Sequence, residues 1–153
     1  MRVKCLIILA GICMLVAGCA TDGSSGGIYA FNGTKSNSDT GVQYLLGRGV
    51  PQNNEKAFYY FSRAADQGDV LAQNEVAYMY ATGKGTPRDN EKALMYYQEA
   101  ANSGLVSAQY NLGLMYLRGI GTTKNKQEAL AWLKKSASRG FEPAKVALKR
   151  YKA

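Results

Sequence analysis

Residues 108–121, AQYNLGLMYLRGIG, decide the fold, because the chain writes the same phrase twice more. It reads AQNEVAYMYATGKG over residues 72–85 and SNSDTGVQYLLGRG over residues 36–49, each copy 36 residues from the next. Tyr44, Tyr80 and Tyr116 keep that step, as do Gly47/Gly49, Gly83/Gly85 and Gly119/Gly121. Further along each unit Ala57, Ala93 and Ala129 recur, and so do Gly68, Gly104 and Gly140. A fixed period of a few tens of residues marks a solenoid, in which each unit packs on its neighbours alone.

Each unit reads as helix A, a glycine-containing loop and helix B. In the third unit Ala108, Leu112, Met115 and Tyr116 stand at i, i+4, i+7 and i+8, the stripe of a half-buried helix. Gly119 and Gly121 stop it, since glycine enters positive φ at little cost. Asn125 is placed to cap helix B, with Glu128 three residues on completing a capping-box pattern; Asn53 and Asp89 hold the same place in the other units. Helix B then carries Ala129, Trp132, Leu133 and Ser136, matched by Ala93, Tyr96, Tyr97 and Ala100 and by Ala57, Tyr60, Phe61 and Ala64. Small residues at the ends of this stripe let helices approach, and the central aromatics fill the space between units. Gly68, Gly104 and Gly140 sit where a C′ glycine ends helix B.

The expected architecture is all-α: a solenoid of three antiparallel helix pairs over residues 35–68, 69–104 and 105–140, with a capping helix over 141–153. The first unit departs from the pattern. Ser36, Ser38 and Thr40 stand where the third has Ala108, Tyr110 and Leu112, so its helix A is expected to be short and to begin nearer Gly41 than Lys35.

The phrases at 108–116 and 119–121, with Glu128-Ala129-Leu130-Ala131-Trp132, Ser136-Ala137 and Gly140, closely resemble the Sel1-like repeat, a cousin of tetratricopeptide repeats. The resemblance covers about residues 41 to 153. It implies helix pairs in a right-handed superhelix and a role in protein–protein binding. Ala77 in place of the glycine seen at Gly113, and Thr123 in place of the proline seen at Pro51 and Pro87, are local departures. A cysteine-rich branch of the family is linked to β-lactams, but its repeated disulfides have no counterpart here.

Met1 to Cys19 read as an address. Arg2 and Lys4 precede the apolar run Leu6–Val16, which is too short to span a bilayer comfortably. Val16-Ala17-Gly18-Cys19 resembles the lipobox of bacterial lipoproteins, in which the signal over 1–18 is removed and Cys19 is lipidated. Two or three acyl chains on one residue give stable anchoring. Ala20 after the cysteine, rather than aspartate, implies by resemblance to diderm lipoproteins an outer-membrane destination facing the periplasm; in a monoderm host the place is the outer face of the only membrane. Residues 19–34, with Gly23-Ser24-Ser25-Gly26-Gly27, read as a tether, whose roughly 14 flexible residues reach about 20 Å. Ile28, Tyr29 and Phe31 interrupt it with apolar side chains that have the first unit to dock on.

Cys5 and Cys13 fall within the signal and Cys19 carries lipid, so the mature chain is expected to hold neither a thiol nor a disulfide. The chain has no histidine. Histidine-dependent triads, the usual zinc sites and histidine acid–base chemistry are therefore excluded. No two of the 11 Asp and Glu residues share one apolar surface, so the chain is expected to have no cofactor, no metal and no catalytic residue. Glu99 is the acidic residue of helix B without a like-signed partner in the other units, and the one whose loss would report on catalysis. The formal charge of +8 falls to +6 without Arg2 and Lys4. Nucleic acid is not expected for an envelope protein. The cluster Lys145, Lys149, Arg150 and Lys152 reads as a polar cap on the open end, with anionic lipid headgroups as the other reading.

The function expected is a membrane-anchored adaptor that binds an envelope protein through a groove lined by helix A. Within helix A the positions that vary between units are the recognition candidates: Val42, Tyr78 and Leu114 form one column, and Asn74 and Tyr110 a second, Tyr110 fitting the packing pattern. The alternative is a periplasmic immunity protein neutralising a secreted toxin such as a phospholipase, a role that small lipoproteins resembling this one serve. A peptidoglycan or β-lactam hydrolase is the competing class.

Overall fold

The structure is a computed structural model and describes residues 36–152. The expected signal, Cys19, the tether and any docking of residues 28–31 lie outside the described residues. Seven helices follow one another: α1 (Asn37–Leu46), α2 (Asn54–Asp66), α3 (Val70–Thr82), α4 (Asn90–Asn102), α5 (Val106–Arg118), α6 (Lys126–Ser138) and α7 (Glu142–Lys152). Among the described residues there is no strand. Substantial contacts run between successive helices, from α1 on α2 through to α6 on α7. This is a solenoid of three helix pairs with α7 packed on the last.

Caps and glycines set the helix ends. The side chains of Asn53, Asp89 and Asn125 accept from the backbone N–H three residues on, at 2.8, 3.0 and 3.0 Å. The reciprocal half of a capping box does not form at Asn125. Its backbone N–H donates instead to the Tyr116 carbonyl at 2.9 Å, as Asn53 and Asp89 do to Tyr44 and Tyr80. Each loop is thereby tied back to the last turn of its own helix A. Gly47, Gly83 and Gly119 end those helices in the left-handed region, near φ +70°.

Units stack through small residues and fully buried branched ones. One core joins Ala57, Phe61, Ala64 and Ala65 of α2 to Ala72, Val76 and Met79 of α3. A second gathers Tyr97, Ala100, Leu112, Met115 and Trp132 from α4, α5 and α6. Leu112 and Leu133 have no exposed surface, and burial of each contributes about 1.5–3 kcal/mol. Gly85 and Gly121 serve a separate purpose. A Cβ on either would stand 2.2 Å from the carbonyl oxygen of Asn54 or Asn90, so the second loop glycine lets each loop lie against the helix B of the preceding unit. With no cysteine among the described residues, packing carries the stability.

Helix α1 is shorter than the other A helices, with ten residues against thirteen, as expected. Its start is not where the sequence reading put it. It begins at Asn37, because Ser36 acts as N-cap and its hydroxyl oxygen accepts the Asp39 N–H at 3.0 Å. Thr40 Oγ1 then donates to the Ser36 carbonyl at 3.1 Å. The serines and threonine taken for erosion build the first turn.

Candidate functional site

The A helices α1, α3, α5 and α7 lie side by side, leaving grooves between α3 and α5 and between α5 and α7. On this face large apolar side chains stay exposed: Leu46 on α1, Leu71 and Tyr78 on α3, and Val146 on α7. Leu71 is 65 % and Tyr78 47 % exposed, seven residues apart on one stripe of α3, so stacking leaves this stripe unused.

The residues singled out from the sequence separate in space. Val42 borders a shallow groove of about 380 Å³ with Asp39, Gln43 and Arg48, at the α1 end. Tyr78 stands on the middle helix. Leu114, half-buried, borders both the α3–α5 groove and the α5–α7 groove. Asn74 is half-buried; its amide nitrogen donates to Glu75 Oε1 at 3.3 Å, and its buried carbonyl oxygen has no donor among the described residues. That makes Asn74 a packed residue more than a displayed one. Tyr110 packs edge-on against Phe141 with ring centroids 5.5 Å apart and also borders the α5–α7 groove.

Two residues missed by the sequence reading complete the face. Arg150 continues the column of Val42, Tyr78 and Leu114 by one more step of 36, a signal open to the sequence once α7 is taken as a fourth helix A. Arg118, at the end of α5, borders the α3–α5 groove, the α5–α7 groove of about 470 Å³ and a third of about 520 Å³ with Lys124, Lys126 and Tyr151. Among the described residues the ion pairs are Lys92 with Asp89 and Lys145 with Glu142, so neither arginine is in an ion pair; the Arg150 guanidinium lies over the Tyr151 ring, 5.9 Å from its centroid. Burial pushes the Tyr97 phenol above its ordinary value, helped by the nearby charge of Glu75, and Tyr97 borders the α3–α5 groove.

Charge is distributed unevenly along the solenoid. Residues 36–104 hold six Lys and Arg against eight Asp and Glu, a net −2, whereas residues 105–152 hold ten against two, a net +8. Among the described residues no group of three His, Cys, Asp or Glu is placed to hold a metal. Glu99 is exposed and accepts from Gln73 Nε2 at 3.1 Å, in none of the grooves described. No helix among the described residues is long and apolar enough to cross a membrane.

The Sel1 repeat family model matches residues 35–69, 70–105 and 106–141. Among solved structures, a Sel1 repeat protein from Oxalobacter formigenes is 36 % identical, over 74 % of this chain and 86 % of its own, with a TM-score of 0.69. A protective antigen of uropathogenic Escherichia coli with an SLR fold is 32 % identical over 68 % of this chain, but only 22 % of its own, with a TM-score of 0.67. Cysteine-rich protein B of Helicobacter pylori is 25 % identical over 73 % of this chain and 88 % of its own, with a TM-score of 0.63. No curated protein is significantly similar to the chain.

Proposed function

The chain belongs to the Sel1 repeat family, in general a non-catalytic protein-interaction scaffold, and from that premise we propose that it is a lipid-anchored adaptor of the bacterial cell envelope. The observation that carries the binding half is the A-helix face, where Leu71, Tyr78 and Val146 stay exposed while Ala72, Val76, Met79 and Ala144 of the same helices are buried. The anchor rests on the sequence Val16-Ala17-Gly18-Cys19. Lipid on Cys19 holds the repeats near a membrane, facing the periplasm from the outer membrane, within reach of other envelope proteins. The partner is a protein, engaged without cofactor or metal.

Crosslinking in intact cells, with mass-spectrometric identification of what is captured, tests both halves. One dominant envelope protein is expected, lost on Tyr78→Ala with Leu114→Ala, and Cys19→Ala should move the chain out of the membrane fraction. Capture of a secreted toxin in place of a resident protein would turn the reading from adaptor to immunity protein. A partner indifferent to the double substitution would overturn the A-helix face as the binding surface.

A further inference from the structure

The A-helix face changes sign along its length, and that names the chemistry of what it holds. At the α1 end it carries Asp39 and Glu75, the latter on α3; at the equivalent positions α5 and α7 carry Asn111 and Ala147. Toward α7 the charges are Arg118 and Arg150, both bordering the α5–α7 groove, whose walls are Tyr110, Leu114, Val146 and Tyr151. Glu142 is the one carboxylate bordering that groove, and Lys145 Nζ already donates to it at 2.6 Å. Arg88 and Lys124 border the adjoining grooves that share Arg118. Two guanidinium groups without carboxylate partners among the described residues therefore flank a half-apolar furrow of about 470 Å³. Arginine binds carboxylate through paired N–H donors and stays charged at any working pH.

We propose that the α5–α7 groove binds an acidic peptide segment of a partner protein, its carboxylates held by Arg118 and Arg150 and a large apolar side chain of the same segment seated against Leu114 and Val146. This inference rests on the protein-binding reading above and gives the partner its chemistry. Charge complementarity sets the direction as well. The acidic stretch lies toward α7, where cations outnumber carboxylates, and not toward the α1 end, where Asp39 offsets Arg48 in one groove and Glu75 adds a second carboxylate. A flat anionic lipid surface is a poorer occupant. It would draw on cations outside the grooves such as Lys134 and Lys149 as readily as on Arg118 and Arg150, and would leave the apolar walls of the groove empty.

The full chain, purified in detergent, is used to select from a displayed library of random heptapeptides, and labelled copies of the selected peptides are titrated. The expected peptides are rich in Asp and Glu around a Leu, Phe or Tyr. Their affinity falls tenfold or more on Arg118→Gln with Arg150→Gln, and less than twofold on Lys134→Gln with Lys149→Gln, which removes the same charge outside the grooves. The affinity also weakens as salt is raised, since exposed charges more than about 8 Å apart are screened at 0.15 M. Neutral or basic selected peptides, no selection at all, or equal losses in the two double variants would overturn the inference. So would binding to phosphatidylglycerol vesicles that exceeds binding to the peptides and falls equally in both variants, which assigns the basic half to lipid. The in-cell capture separates this failure from that of the parent reading. A partner lost on Tyr78→Ala with Leu114→Ala, yet retained on Arg118→Gln with Arg150→Gln, leaves the adaptor standing and removes only the acidic-segment assignment.

Discussion

Two junctions in the molecule use equivalent residues for opposite chemistry. Where α1 meets the start of α3, the Ser38 hydroxyl donates to the Asp69 carboxylate. Two steps of 36 residues later, Tyr110 of α5 packs edge-on against Phe141 at the start of α7. The outward face of α1 is rewritten in the same direction. Ser36, Thr40 and Gln43 stand where α3 has Ala72, Val76 and Met79 and α5 has Ala108, Leu112 and Met115, all buried in the stacks. The difference separates what a unit needs for itself from what it needs for stacking. The helix B caps and the loop glycines are kept in all three units; the stacking positions become polar where no described helix lies against them. A polar outer face is what keeps the end of a repeat stack from aggregating.

The sharpest way to break that comparison is at the loop glycines. Gly49, Gly85 and Gly121 all have φ near +70°, so alanine at any of them costs about 1–2 kcal/mol in backbone strain. At Gly49 a Cβ meets nothing within 4 Å, whereas at Gly85 and Gly121 it strikes a helix carbonyl at 2.2 Å. Gly85→Ala and Gly121→Ala should therefore cost about 3 kcal/mol or more, with the α2–α3 or α4–α5 packing pushed apart. Gly49→Ala should stay near the strain cost alone. Urea unfolding of the three variants decides it; equal losses would mean that the loops do not lie on the preceding unit.

A smaller effect tests the face of α1. Val76 is fully buried, so Val76→Thr places a hydroxyl in the α2–α3 core and should cost about 1–2 kcal/mol. Thr40→Val, the same exchange reversed at the equivalent place, should change stability by no more than about 0.5 kcal/mol, since no described core encloses it. If both exchanges cost alike, Thr40 is enclosed as Val76 is, and the outer face of α1 is not polar by design.

Much of this frame was legible in the sequence, because a period of 36 carries helix, loop and cap signals through three copies. What stayed hidden depends on contacts far apart in the chain. Ser36, Ser38 and Thr40 look like a helix eroded at its start when apolar periodicity is the only measure. Their value lies in a cap on Asp39 and in a bond from Ser38 to a carboxylate 31 residues away. The proposed binding face was half legible. Val42, Tyr78 and Leu114 form a column legible across three units, but Arg150 reads from the sequence as part of a solubilising cap unless that column is followed one step further into α7. Arg118 had no signal of its own. Only the meeting of three grooves marks it out.

The smallest expected effect bears on the polar junction itself. Partial burial works against the Asp69 charge, but the Ser38 hydroxyl and the backbone N–H groups of Ala72 and Leu71 outweigh it and hold the carboxyl below its ordinary value of 3.8. A carboxyl with a lowered folded-state pKa contributes stability that is fully present above its unfolded value and is lost as pH falls through the folded one. Asp69→Asn keeps a side-chain oxygen for the α3 N-cap, so it removes the charge-linked part alone. Wild type should exceed Asp69→Asn by about 1 kcal/mol or less at neutral pH. The gap should stay constant down to about pH 5 and close below about pH 4. Ser38→Ala should narrow the gap, since it deletes the largest contribution that lowers the pKa. Phe141→Leu at the aromatic junction should lower stability with no such pH dependence, because the contact it weakens holds no carboxyl. A gap between wild type and Asp69→Asn that ignores acid would mean that Ser38 and Asp69 do not meet in solution, and the polar junction would then be no different in kind from the aromatic one.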